Sequence, residues 1–279
     1  MGNINQKLVK TGEFQTYLNR SGEGNKEVIL FLHGSGPGVN AWANWRYALG
    51  ACSVEFDCLA PDLIGFGDSG HPEERPNTRS GWMRYWVDQC VNLLDELGID
   101  QAHVVGNSLG CSIAQELLFE HPERIKRVVL MGPGGTPNMK PSAELARARA
   151  FYEEPTPKFL QQIMSWFVND GEALKEEIAS ITDMRYQIAM KPDTRESNES
   201  IFSTKPTPVP PTALERIKHD VLLVHGRDDR VCSVDSSYYL LEHIPNAQLH
   251  VFPNCGHWAQ IEKKDSFHSL ILSFFKNII

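Results

Sequence analysis

A single serine at a predicted strand-to-helix turn constrains this chain more than any other feature. The apolar run at 103–106 is typical of a buried strand, and the residues after Ser108 repeat apolar side chains at helical spacing. A side chain raised on such a sharp turn needs neighbours without Cβ atoms, and Gly106 and Gly110 meet that need. The stretch predicts a nucleophilic serine on an elbow. The alternative is a glycine-rich turn with an ordinary N-cap serine.

Length and composition restrict the class of protein. The 279 residues suit one large α/β domain with an insertion, and 41% hydrophobic and 22% charged residues are typical of a globular protein. A net charge of −8 without a basic run argues against nucleic acid as a partner. Six cysteines without C-x-x-C spacing indicate reduced thiols rather than disulfides or a metal site. No apolar segment suggests a secretory signal or a membrane span, so we expect a cytoplasmic protein that acts on a small molecule.

A glycine-rich loop follows the first continuous apolar strand, which is predicted at 27–32. The loop at 33–40 contains three glycines and begins at the carboxyl end of that strand, where ligands bind in open α/β sheets. In α/β-hydrolases such a loop supplies one N–H of the oxyanion hole, and the residue after the nucleophile supplies the other. Here the donors would be Ser35 or Gly36, together with Leu109. A phosphate cradle is disfavoured because no Gly-Lys-Ser/Thr follows.

The rest of the chain predicts an α/β-hydrolase fold, with a mostly parallel sheet, helices on both faces and an inserted helical cap. The core is expected at 1–134 and 214–279 and the cap at 135–213, where the strand pattern is interrupted by helical segments and prolines. The other predicted core elements are a β-ribbon at 7–20, strands at 56–62, 127–131, 221–225 and 248–252, and helices at 41–49, 82–97, 236–243 and 267–276. The predicted cap segments are helices at 143–153, 158–168 and 172–190 and a proline-dense stretch at 205–211.

A base and an acid follow Ser108 in the chain order that this fold uses. A serine hydroxyl needs a base that is oriented by a carboxylate. His257 follows the strand at 248–252 and is the predicted base. Asp228 and Asp229 both follow the strand at 221–225, and the G-x-x-D spacing favours Asp229. The alternatives are a solvated acidic turn and an ordinary loop histidine.

Three further polar residues lie close in sequence to these positions. His33 precedes the glycine-rich loop, which suggests that it shapes the loop by hydrogen bonding rather than acting as the base. Asn107, beside the serine, and Asn44, on the first helix, are polar groups that could face the pocket. Each of them alone would be interpreted as a cap or a surface residue.

Several strings together resemble the meta-cleavage product hydrolases, the C–C bond hydrolases of aromatic catabolism. The resemblance runs from about residue 27 to the C-terminus and looks nearest to the 2-hydroxymuconate-semialdehyde hydrolases. It rests on HGSGPGVNAWANW at 33–45, GNS at 106–108, MGPGG at 131–135, RYQ at 185–187, GRDDRV at 226–231 and CGHW at 255–258.

The resemblance implies cofactor-free hydrolysis of a 2-hydroxy-6-oxo-hexa-2,4-dienoate to a 2-hydroxypentadienoate and a carboxylic acid. It also implies that Arg185 of the cap, with Asn44 and Asn107, binds the carboxylate and 2-oxo end. Trp258 would form a wall of the pocket, and the protein would form homo-oligomers. An arginine is apt because its planar fork matches a carboxylate.

Two other functions remain open from the sequence. A carboxylic ester hydrolase would use the same triad and oxyanion hole, and only the cap and its arginine favour the dienoate. A non-catalytic hydrolase-like binding protein would lack a member of the triad, and none is lacking here. Substrate choice is less constrained, because Cys111 and Leu109 depart from the family pattern and the cap is rich in proline between Ile201 and Leu214.

Overall fold

The structure is a computed structural model that describes residues 4–140, 142–204 and 207–279. The first residues of the chain, on which the expected absence of a signal partly rests, lie outside these ranges. So do the first two residues of the predicted proline-dense stretch. Of the helices in the described ranges, none combines the length and the apolar character that crossing a membrane requires.

The described residues form eight strands and eleven α-helices. The strands are β1 (Asn5–Thr11), β2 (Phe14–Ser21), β3 (Glu27–Leu32), β4 (Phe56–Pro61), β5 (Ala102–Asn107), β6 (Ile125–Met131), β7 (Val221–Gly226) and β8 (Ala247–Phe252). The helices are α1 (Ala41–Cys52), α2 (Arg79–Glu96), α3 (Leu109–Glu120), α4 (Ala143–Arg149), α5 (Pro157–Trp166), α6 (Lys175–Ala189), α7 (Pro192–Ser203), α8 (Pro211–Leu214), α9 (Asp235–His243), α10 (Ala259–Glu262) and α11 (Lys264–Phe275).

The strands form one sheet in the order β1-β2-β4-β3-β5-β6-β7-β8. Pairing is parallel from β4 to β8 along that order, and the antiparallel β1–β2 ribbon joins antiparallel to β4. The predicted α/β-hydrolase fold class is confirmed. Because parallel strands end at the same edge of a sheet, the segments after β3, β5, β7 and β8 meet there. This edge gathers the loop at 33–40 and the residues Ser108, Asp229 and His257.

The central strands are apolar throughout because helices cover both faces of the sheet. One hydrophobic cluster joins side chains of β3 and β5 to α2 and α3, and includes Trp82, Trp86 and Ile113. The other cluster joins alternate residues of the same strands to α1 and α11, and includes Trp45 and Phe267. Successive side chains of a strand point to opposite faces, which assigns them to different clusters.

The segment between β6 and β7 is helical, as predicted, but its helices differ in detail. The predicted helix at 143–153 is α4 followed by a 3-10 turn, Phe151–Glu153, and α7 was not predicted at all. A third hydrophobic cluster joins α5 and α6 to Val231 and Trp258 of the sheet edge. The helices therefore pack over the carboxyl ends of β7 and β8. We retain the division into a core and a cap at 135–213 as a proposal.

The glycines of the elbow are required by close backbone contacts. A Cβ on Gly106 would collide with the carbonyl group of Gly110, and a Cβ on Gly110 would collide with the carbonyl oxygen of Leu32. Neither obstacle is a flexible side chain, so α3 and β5 would have to separate. The two glycines thus allow the start of α3 to pack directly on β3 and β5.

We expect Gly106→Ala to lower the free energy of unfolding by about 2–3 kcal/mol, which urea denaturation at constant m-value would measure. Gly50→Ala is the matched control. Gly50 lies in α1, where an added Cβ meets no atom within 4 Å. This control is expected to raise stability by up to about 1 kcal/mol through its helix propensity. Equal effects of the two substitutions would contradict the packing argument.

Candidate active site

Ser108 lies at the turn between β5 and α3 in a strained backbone conformation. Its φ of 52° and ψ of −108° fall outside the regions that L-residues ordinarily occupy. The turn is fixed on both sides, because the Ser108 N–H donates to Met131 O at 3.1 Å and its carbonyl accepts from Cys111 N at 3.0 Å. The residue is partly exposed and lines a cavity together with His257. The sequence-predicted serine is therefore presented to a pocket, in a geometry that costs backbone energy.

His257 and Asp229 form a buried hydrogen-bonded pair. The Nδ1 atom of His257 lies 2.7 Å from Oδ2 of Asp229, and both side chains are almost fully buried. Since an ionised carboxylate only accepts, Nδ1 carries the proton and Nε2 keeps its lone pair. The other oxygen of Asp229 accepts from the N–H groups of Val231 and Cys232, at 2.7 and 2.9 Å. Asp228 does not take this position; its side chain lies near Arg227.

A second histidine stabilises the charge of Asp229. His225, fully buried at the end of β7, has Nε2 3.3 Å from Asp229 Oδ2 and 2.8 Å from the carbonyl of Cys232. Burial by itself raises the pKa of the Asp229 carboxyl, but the neighbouring His257 and His225 rings hold that pKa well below its usual range. Asp229 is therefore ionised at neutral pH. Sequence reasoning missed His225. The available signal was its position directly before the G-x-x-D string that ends at Asp229.

The glycine-rich loop lies directly against the elbow. The α-carbon of Gly34 is so close to the elbow that a Cβ there would lie 3.1 Å from Asn107 Oδ1 and 3.4 Å from Ser108 Cβ. Ser35 and Gly36 line the same cavity as Ser108 and His257, whereas Leu109 lines an adjoining cavity that Ser108 also reaches. The predicted donor residues therefore surround the serine from two sides.

His33 connects this loop to the segment that follows β4. Its Nε2 accepts from the N–H of Leu63 at 2.9 Å, so Nδ1 carries the proton and donates to the carbonyl of Gly34 at 2.7 Å. Burial lowers the pKa of His33 to about 4, with Arg185 adding to the effect and the hydrogen bond to Gly34 opposing it. The ring is neutral at pH 7, and both of its nitrogens are engaged in fixing the loop.

Two asparagines meet on the floor of the cavity. Asn44 Nδ2 donates to Asn107 Oδ1 at 3.3 Å, and Asn107 Nδ2 donates to Met131 O at 3.2 Å. Both side chains are buried, and both residues line the cavity with Ser108. The chain of bonds fixes the orientation of each amide.

Arg185 of α6 is a buried cation, and none of the residues that the structure describes places a carboxylate within 4.0 Å of it. It is 1% exposed, its Nε donates to Pro37 O at 2.9 Å, and Nη2 has no hydrogen-bond partner among the described residues. Burial lowers the pKa of Arg185 to about 9, and nearby Tyr152 opposes that shift. The guanidinium lies at the wall of the cavity, so close to Gly36 that a Cβ there would be 2.9 Å from Nη2. A buried guanidinium is costly unless an anion binds it.

Aromatic side chains close the cavity on the side of α5. Trp258 packs edge-on against Phe167, with ring centroids 4.9 Å apart, and Phe167 lies 5.6 Å from the ring of His257. Trp258 was predicted to wall the pocket and lines it. Phe167, Arg149 and Phe202 also line it and were missed, because a helical pattern does not distinguish a pocket residue from a core or a surface residue.

Together the parallel sheet, the strained serine and the histidine–aspartate pair define a serine hydrolase of the α/β class. A family model described as the alpha/beta hydrolase fold matches residues 27–264. The chain belongs to the α/β-hydrolase family and, within it, to the meta-cleavage product hydrolases.

Individual relatives resemble almost the whole chain. A 2-hydroxymuconate semialdehyde hydrolase of Pseudomonas sp. (strain CF600) is 36% identical, over 97% of this chain and 93% of its own length. The crystal structure of a serine hydrolase from the polyaromatic hydrocarbon-degrading bacterium Cycloclasticus zankles is 42% identical with a TM-score of 0.94, covering 99% of both chains. The 2-hydroxy-6-oxo-6-phenylhexa-2,4-dienoate hydrolase of Rhodococcus sp. strain RHA1 is 35% identical with a TM-score of 0.95, covering 99% of this chain and 100% of its own.

Proposed function

We propose that this protein hydrolyses the C–C bond between C5 and C6 of a 2-hydroxy-6-oxo-hexa-2,4-dienoate, a ring-fission product of aromatic catabolism. The observation that carries the proposal is Arg185, a buried guanidinium that faces the same cavity as Ser108 and has no anionic partner in the part of the chain that the structure describes. An uncharged ester would leave that cation unpaired, whereas the dienoate carboxylate would pair with it. The relatives named for dienoate and semialdehyde substrates support the same choice.

Ser108, His257 and Asp229 are proposed as the catalytic triad. Nε2 of His257 takes the proton of the serine hydroxyl, and Asp229 holds the ring in the required tautomer and stabilises its charged form. The hydrogen bond between Nδ1 and Oδ2 supports this assignment. Whether the serine attacks the C6 ketone or activates a water molecule, the same proton transfer is needed.

The positions of the polar side chains and backbone N–H groups in the cavity indicate how each end of the substrate binds. Arg185, with Asn44 and Asn107, binds the C1 carboxylate and the 2-oxo group, and Trp258 forms an apolar wall. The N–H groups of Leu109 and of Ser35 or Gly36 bind the oxyanion that develops at C6. Support comes from the shared cavity lining and from the strained elbow that exposes the serine.

The reaction requires a tautomerisation before scission, because a simple alkenyl carbanion would be a poor leaving group. The 2-hydroxydiene first becomes the 2-keto form by moving the hydroxyl proton to C5. Addition at C6 then forms a tetrahedral oxyanion. Its collapse breaks the C5–C6 bond, the electron pair delocalises into the 2-oxo group as a dienolate, and water supplies the oxygen of the released acid. No cofactor takes part in this sequence.

We further propose that the enzyme is cytoplasmic and forms homo-oligomers. The homo-oligomer rests on the family resemblance, and the location rests on the cysteine pattern, which is typical of reduced thiols. Surface apolar side chains such as Tyr238 and Leu241 of α9, which are 52% and 37% exposed, offer area that a second copy could cover.

Product analysis in H₂¹⁸O tests the proposed reaction. The yellow dienoate should lose its absorbance, and mass spectrometry should find one ¹⁸O in the released carboxylic acid and none in the 2-hydroxypentadienoate skeleton beyond ketone exchange. Release of an alcohol from esters without any scission of the dienoate would instead identify a carboxylic ester hydrolase.

A further inference from the structure

A second cavity adjoins the proposed substrate site at Ser108. The two cavities share five lining residues, which are Ser35, Ser108, Leu145, Arg149 and Phe202. Arg185 lines only the first cavity, whereas Arg79, Gly134 and Thr204 are among those that line only the second. A substrate whose reacting carbon lies at Ser108 therefore has one end beside Arg185 and the other end in the second cavity.

The second cavity contains a half-buried arginine, Arg79. Arg79 is the first residue of α2, and its guanidinium lies 5.2 Å from the centroid of the Trp86 ring. In the described part of the chain, no carboxylate oxygen lies within 4.0 Å of this group. Burial, and after it the charge of Arg149, lower the pKa of Arg79 to about 10. The environment of Arg79 is thus unfavourable for its charge as long as no anion is bound.

Arg149 adds a second positive charge to the same cavity. It ends α4, lies on the surface, and holds its guanidinium 5.8 Å from the centroid of the Phe202 ring. It too has no carboxylate oxygen within 4.0 Å among the described residues. By contrast, Arg75 contacts Asp193 and Arg195 contacts Glu199. Two like charges that converge on one cavity are stabilised by an anion between them.

We propose that Arg79 and Arg149 bind a carboxylate on the C6 substituent, so that the substrate is a dianion with one carboxylate at Arg185 and another beyond the scissile bond. This inference rests on the proposed function and adds the class of acyl group, which is a carboxylate-bearing chain or ring. Glu116 also lines the outer part of the region around Arg79, where it would repel an anion less strongly than the two arginines attract it. The released acid would then be a dicarboxylic acid.

Two matched pairs of dienoates test this inference. One pair is 2-hydroxy-6-oxonona-2,4-diene-1,9-dioate and 2-hydroxy-6-oxonona-2,4-dienoate, which differ only in the terminal carboxylate. The other pair carries a 2-carboxyphenyl or a phenyl group at C6.

At low salt we expect kcat/KM to be about tenfold or more higher for the anionic member of at least one pair, as one charge-assisted pairing would give. Arg79→Gln and Arg149→Gln should each reduce that preference several-fold, by lowering kcat/KM for the anionic member more than for the neutral member. Arg147→Gln is the matched control, because its guanidinium lies on the other side of α4 over Phe159.

The outcomes separate this inference from the proposed function. The inference fails if the neutral dienoates are cleaved as well as the anionic members of both pairs. It also fails if a preference for the anionic member remains in both Arg79→Gln and Arg149→Gln. Either result would leave the assignment as a C–C hydrolase intact. If no dienoate is cleaved, the proposed function fails. The inference is then tested separately, by calorimetric measurement of ligand binding. Nonanedioate should then bind about tenfold more tightly than nonanoate, and Arg79→Gln should abolish the difference. Equal affinities would overturn the inference.

Discussion

Ser108→Ala should lower kcat on the dienoate by at least about 10⁴-fold, because it removes the group that His257 activates. Labelling of the wild-type protein by a fluorophosphonate probe should be lost in the same variant. Ser165→Ala is a suitable control, since that hydroxyl donates to Gln162 O on the surface of α5 and does not line the site. Full activity of Ser108→Ala, or a wild-type protein that the probe does not label, would contradict the assignment of the nucleophile.

The backbone strain at Ser108 should also be measurable as a difference in the stability of two variants. At a φ of 52°, glycine is less strained than a residue with a Cβ. Ser108→Gly is therefore expected to be about 1 kcal/mol more stable than Ser108→Ala, while both are inactive. Thermal or urea unfolding of the two variants measures this difference. An alanine variant as stable as the glycine variant would indicate that the elbow stores no strain.

Arg185→Gln should lower kcat/KM on the dienoate by about 10²- to 10³-fold, as expected when one partner of a buried charge pair is removed. Hydrolysis of an uncharged ester should change by less than about tenfold, because the ester makes no bond to the guanidinium. Glutamine is chosen because it keeps a donor that can reach Pro37 O, which Arg185 Nε contacts at 2.9 Å. The readout is the difference between the loss of kcat/KM on the dienoate and the loss on the ester.

Two controls accompany the Arg185 variant. Arg195→Gln removes an exposed charge from α7 that pairs with Glu199, and should leave both activities unchanged. Arg185→Lys keeps the charge but loses the planar fork, and should recover only part of the dienoate activity. Equal losses on dienoate and ester in Arg185→Gln would identify Arg185 as a packing residue rather than the carboxylate clamp.

The sequence was sufficient for the fold because the determining features are local. Continuous apolar strands such as β3 and β7, and glycines beside the elbow, carry their structural reason in the residues themselves. The helices between β6 and β7 were predicted less well. α7 begins at Pro192 and carries many polar residues, including Asn198 and Ser197, which are buried only through contacts with distant parts of the chain. Burial of that kind has no local signature.

The candidate site could be predicted only where motif spacing carried the information. Ser108, Asp229 and His257 follow three different strands, and fold topology brings these strand ends together. Arg79 gave no signal of that kind, because as the first residue of α2 it resembles any charge near a helix start. Its position in a cavity with Ser108 depends on how the helices between β6 and β7 fold over the sheet edge. Interactions between distant segments therefore limit what the sequence predicts.

The most direct test of the account is kcat/KM on a panel of coloured ring-fission dienoates beside a panel of uncharged and cationic esters. We expect the best dienoate to exceed the best ester by about 10³-fold or more, which corresponds to about 4 kcal/mol of differential transition-state binding. An ester preference of similar size would leave the fold and the triad in place. It would contradict the assignment of Arg185 and the C–C bond as the target of the enzyme.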